Sequence, residues 1–112
     1  MKLKEIVEKL NLEVKSAPEM LDKEVTGGYV SDLLSDVMAN AREGNIWVTL
    51  QIHQNIVAVA SLKEIRGIIL VNNRQPDEDT LQKAIHEKIP ILVSKLSTFE
   101  LVGKLYQLPI TS

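Results

Sequence analysis

The chain has 112 residues, a formal net charge of −2, 45% hydrophobic residues and no cysteine, which suits one domain removing roughly 65% of its unfolded-chain surface from water. The lack of cysteine excludes disulfides, thiolate chemistry and cysteine-ligated iron–sulfur or structural zinc sites. Evenly mixed charge signs give no basic footprint for nucleic acid. The charged, amphipathic start and the lack of any apolar run near the roughly 20 residues that span a bilayer predict a cytoplasmic protein that does not engage a membrane.

In chain order, Leu3, Ile6, Val7 and Leu10 share one face of a short helix that Asn11 can close in the left-handed conformation. Leu12 and Val14 alternate with charged residues, a first strand at 12–14. Residues 16–24 lose periodicity and contain Pro18, so they read as a surface connection. It leads into Thr26-Gly27-Gly28, a glycine turn followed at once by Val30, Leu33, Leu34, Val37, Met38 and Ala41. Those positions form the apolar stripe of a helix buried against a sheet and stopped by Gly44. A glycine turn opening on a helix N-terminus offers free N–H groups and the positive end of the helix dipole, a setting for an anion.

Residues 46–50 read as a strand covered on both faces, 56–65 as a short buried helix capped by Asn55, with a strand as the alternative, and 67–71 as a second buried strand. Asp77, Glu78 and Asp79 open a helix whose Leu81, Ala84 and Ile85 point inward. Residues 91–93 form another strand, and Ser97 with Glu100 has capping-box spacing before a last helical stripe of Phe99, Val102, Leu105 and Tyr106. Alternating strands and helices predict a three-layer α/β/α domain with a mainly parallel sheet of about four strands, at 12–14, 46–50, 68–71 and 91–93.

The run from Glu24 to Ala41 resembles the DRTGG domain, named for an Asp-Arg-Thr-Gly-Gly sequence. Thr26, Gly27 and Gly28 match its last three residues, whereas Glu24 and Val25 stand where the name has Asp and Arg. That domain accompanies the catalytic domain of HPr kinase/phosphorylase, some phosphotransacetylases and CBS domains, and also stands alone. The resemblance covers nearly the whole chain and implies a single accessory domain over 1–112, regulatory in role. A redox or signalling assembly is the kind of partner it implies for the stand-alone branch.

Ligands of parallel α/β sheets bind beyond the C-terminal strand ends, near a reversal of strand order. Thr26, Gly27, Gly28, Gln51, His53, Asn72, Arg74 and Lys95 are therefore candidate ligand-binding residues, a set of hydroxyl, amide, imidazole and cationic groups suited to an anionic or nucleotide-like molecule. No phosphate-binding loop, dinucleotide fingerprint or nucleophile elbow is present, and the only two histidines have no metal-ligand spacing. These features predict a non-catalytic, ligand-sensing or interaction domain without cofactor or metal, whose candidate partners are an anionic small molecule and a homodimer or protein partner. The alternative is a small enzyme using His53 or Lys95 at the strand ends.

Overall fold

A computed structural model describes residues 1–110. Helix α1 (Leu3–Leu10) and strand β1 (Glu13–Val14) are followed by a 3₁₀ turn at Pro18–Met20, β2 (Gly27–Val30), α2 (Leu34–Asn40) and β3 (Asn45–Thr49). Then come α3 (Asn55–Leu62), β4 (Gly67–Leu70), α4 (Glu78–Glu87), β5 (Ile91–Val93) and α5 (Thr98–Tyr106). The sheet has five strands in the order β1-β5-β4-β3-β2. The expected three-layer, mainly parallel architecture is what the chain adopts.

Strands β2 to β5 lie side by side in sequence order and are mutually parallel. Each right-handed crossover therefore steps the same way and places its helix on the same face. Val37 and Ala41, then Ile56, Val57 and Ala60 of α3 and Ala84 of α4, accordingly pack with Trp47, Ile68, Leu70, Ile91 and Val93 in one core. The alternate residues Ile46, Val48, Ile69 and Leu92 point to the other face, where Leu3, Ile6 and Leu10 of α1 meet Leu101 and Leu105 of α5. Burial on both faces explains why the central strands are continuous apolar runs.

The structure corrects several expectations. Strand β1 is antiparallel to β5, pairing Glu13 with Val93 and Val14 with Leu92. As the first strand it is fed by no crossover, so handedness does not set its direction, and Ser16 anchors the chain just beyond it. Its buried hydroxyl donates to Ile89 O and accepts from Ile91 N–H, both at 2.8 Å, locking the chain alongside the start of β5.

Residues 27–30 are a strand, not a turn, and α2 begins only at Leu34. Pairing of Gly27 to Val30 with Asn45 to Val48 competes with the helical period and wins, because alternate residues of the edge strand gain sheet hydrogen bonds to β3. Of the expected stripe, Val37 and Ala41 are buried and Leu34 partly so, while Val30, Leu33 and Met38 are exposed. Ala41 is extended and follows the helix, and Gly44 serves a later turn at φ 83°. Ile85 of α4 also faces outward.

Candidate anion-binding site

The C-terminal ends of β3, β4 and β5 bring Gln51, His53, Asn72, Arg74 and Lys95 to one edge of the sheet, on three neighbouring loops. Thr26, Gly27 and Gly28 are not among them. They lie where β2 begins, at the opposite edge, and the Thr26 hydroxyl is spent on Glu43 O at 2.9 Å. Strand order among β2 to β5 never reverses, so there is no switch-point crevice of the expected kind.

Most donors at the strand ends already have internal partners. Asp32 stands just beyond β2, and its Oδ1 accepts from the Thr49 hydroxyl at 2.9 Å and from Leu50 N–H at 2.7 Å. The protein's own carboxylate thus takes the place of an anion between β2 and β3. Gln51 donates its N–H to Thr49 Oγ1 and its side-chain amide to Asp32 O, completing the same knot.

Asn72 and Asn73 are both left-handed, at φ 57° and 55°, a conformation that asparagine tolerates better than most residues. This geometry turns their N–H groups onto Leu96 O and Ser94 O at 2.8 and 2.7 Å, joining the end of β4 to that of β5. Their backbone N–H groups are consequently closed to a ligand. Arg74 gives its N–H to Val71 O, leaving only its side chain to act.

His53 Nδ1 lies 2.7 Å from Asp77 Oδ2, and Asp77 N–H and the Thr80 hydroxyl both donate to Ile52 O. A carboxylate orienting an imidazole is half of a general-base arrangement. No serine or threonine hydroxyl hydrogen-bonds His53 among the described residues. Lys95 sits two strands away from this loop, roughly 10 Å by strand spacing, so the two candidates for chemistry do not share one site.

Lys95 belongs instead to a cleft of about 250 Å³ lined also by Lys9, Leu10, Asn11, Ser94, Leu96 and Lys104. Three elements build it. Lys9 ends α1, Lys104 comes from the last turn of α5, and Lys95 lies in the loop between β5 and α5. The left-handed Asn11 turns the chain away so that the cleft stays open, and Ser94 Oγ fixes the loop by accepting from Leu96 N–H at 3.1 Å. None of these three lysines forms an ion pair among the described residues.

Sequence reading found Lys95 but missed Lys9 and Lys104. Both stand on the polar flanks of helices, where a lysine looks like ordinary solvated surface. Only the packing of α1 beside α5 brings them together.

The sequence matches no protein-family model and no curated protein. Among solved structures, the chain is similar to the CBS and DRTGG domains of the regulatory region of Clostridium perfringens pyrophosphatase, a complex with its activator diadenosine tetraphosphate. The TM-score is 0.72 at 17% identity, over 97% of this chain and 48% of that one, so the chain spans about half of that structure. The likeness is one of fold, and the fold is DRTGG-like. No described helix is long and apolar enough to cross a membrane.

Proposed function

We propose that this chain is a non-catalytic regulatory domain that senses a phosphorylated, nucleotide-like anion through Lys9, Lys95 and Lys104. The carrying observation is the gathering of these three cations, free of ion pairs among the described residues, around one cleft. Backbone donors elsewhere along the strand ends are satisfied internally, which leaves side-chain cations as the means of holding an anion there. At about 250 Å³ the cleft is smaller than the roughly 300–1,000 Å³ of sites that engulf a drug-sized ligand. It suits a phosphate group or short phosphate chain, with the remainder of the ligand outside. The nucleotide activator of the pyrophosphatase regulatory region supports this class of ligand by fold analogy.

The enzyme alternative rests on His53 and Asp77, a pair that lacks a hydrogen-bonded nucleophile among the described residues. Regulation also requires a surface on which the bound state is read, and docking to a protein partner, such as a redox or signalling assembly, completes the proposed role over residues 1–112.

Isothermal titration with sodium tripolyphosphate, ATP and diadenosine tetraphosphate tests the ligand proposal. Saturable binding is expected, weakened about two- to fivefold by each of Lys9→Gln, Lys95→Gln and Lys104→Gln, and weakened further by salt. Binding that all three variants leave unchanged refutes the assignment of the cleft.

A further inference from the structure

On α5, Phe99, Val102, Gly103 and Tyr106 recur with the i, i+3, i+4, i+7 spacing of one helix face. This face looks outward: Phe99 is 90% and Tyr106 89% exposed. Soluble domains rarely leave two aromatic rings so bare on one stripe. Beside the stripe runs a groove of about 480 Å³ between α5 and β2, with Gly27, Gly28, Val30, Leu108 and Ile110 in its lining. Gly28 helps to make this hollow, since any side chain there would project toward Ile46 and Leu105.

Strand β2 is the outer strand of the sheet, with β3 as its single strand neighbour among the described residues. Ser31 gives its N–H to Val48 O, so the register with β3 turns Gly27 and Tyr29 toward that strand and the N–H groups of Gly28 and Val30 to the open side. Natural sheets protect such edges with charges or proline, and residues 25–31 contain neither.

We infer that this face is the interface with a second copy of the chain. Around a twofold axis, a patch must be complementary to itself, with projection and hollow on one surface and no like charges brought opposite each other. Here the aromatic projections of α5 adjoin the glycine-floored groove, and the stripe and the strand edge are uncharged. With the axis normal to the sheet, antiparallel pairing of the two β2 edges continues the sheet across the dimer. The same axis places the two α5 stripes side by side over the join, with Tyr106 of each copy against the groove of the other.

Gly103 provides a clean probe, because an added Cβ there meets nothing within 4 Å. Gly103→Glu therefore leaves the monomer fold intact while placing a charge in the centre of the proposed contact. Sedimentation equilibrium from micromolar to millimolar protein should show a dimer for the natural chain. It should show a dissociation constant raised about tenfold or more for Gly103→Glu and for Tyr106→Lys, with unchanged far-UV circular dichroism. Hydrogen exchange at Gly28 and Val30 should be slow in the dimer and fast in Gly103→Glu. A natural chain that stays monomeric, or a Gly103→Glu chain that dimerises equally well, overturns the inference. Either result leaves anion binding at the lysine cleft to be decided by its own titration.

Discussion

Asp32 and Thr49 are joined by a 2.9 Å hydrogen bond that ties the end of the edge strand β2 to the end of β3. The same Asp32 oxygen receives Leu50 N–H, so one carboxylate serves a buried hydroxyl and a backbone amide together. Asp32→Ala leaves both donors without this acceptor and should destabilise the fold by about 1–3 kcal/mol, whereas Asp32→Asn retains an amide oxygen and should cost less. Urea melts of the two variants check the order; equal losses would show that the carboxylate is not the organising acceptor.

Tyr29 and Asp36 form a second link, between β2 and α2, through a 2.8 Å bond from the phenol to Oδ1. That bond, followed by those from Ser31 and Asn40, lowers the Asp36 carboxyl below its ordinary value of 3.8. Stability from this depressed carboxyl is fully present above 3.8 and is lost as pH falls through the lower folded value. The Tyr29 phenol is raised above 10.0 mainly by its bond to Asp36, so its contribution is present below 10.0 and lost as pH rises through the folded value. Tyr29→Phe should move the Asp36 titration upward toward the ordinary value. Carboxyl carbon shifts followed against pH check this, and an unmoved Asp36 midpoint would assign the depression to Ser31 and Asn40.

Gly44 combines a left-handed φ of 83° with a close approach to Thr26, where an added Cβ would lie 2.6 Å from Oγ1. Gly44→Ala should therefore cost on the order of 1–3 kcal/mol, from backbone strain and from displacement of the Thr26 hydroxyl that anchors to Glu43 O. Thermal melts of Gly44→Ala with and without Thr26→Ala separate the two sources. If the double variant regains nothing, the cost lies in the backbone alone.

Helix α2 offers a graded test of packing. Val37 is fully buried and Leu34 partly, whereas Met38 is 38% exposed. Val37→Ala should cost on the order of 1–3 kcal/mol and Met38→Ala less than about 1 kcal/mol. Leu34→Ala should fall between them. Denaturant unfolding gives the ranking, and a reversal of Val37 and Met38 would place the opposite face of α2 against the sheet.

The difference between α2 and the better-read elements shows what the sequence can express. Helix α5 was legible through its cap, where Ser97 accepts Glu100 N–H at 3.3 Å. Its inward face, however, is Leu101 and Leu105, and of the expected stripe Phe99, Val102, Leu105 and Tyr106 only Leu105 is buried. Strands β3, β4 and β5 were legible as apolar runs because both their faces are covered. In β2, Val30 falls by coincidence on the helical period of Leu34 and Val37, and only pairing with β3 shows that it is sheet. The direction of β1 was hidden for a similar reason, since its partners in β5 and the Ser16 anchors at Ile89 and Ile91 all lie more than 70 residues away. The candidate site was legible only in Lys95. Its companions Lys9 and Lys104 lie near opposite ends of the chain, and neither has a local pattern that sets it apart from a solvated helix flank.

Amide chemical-shift mapping during a tripolyphosphate titration tests the central claim most directly, because it locates the anion without presupposing an activity. The account predicts that Lys9, Leu10, Asn11, Ser94, Lys95, Leu96 and Lys104 move together along one saturable isotherm, while Gly27, Gly28 and Tyr29 stay in place. Saturable shifts centred on Gly27 to Tyr29 or on His53 and Asp77, with the lysine cleft silent, would contradict it.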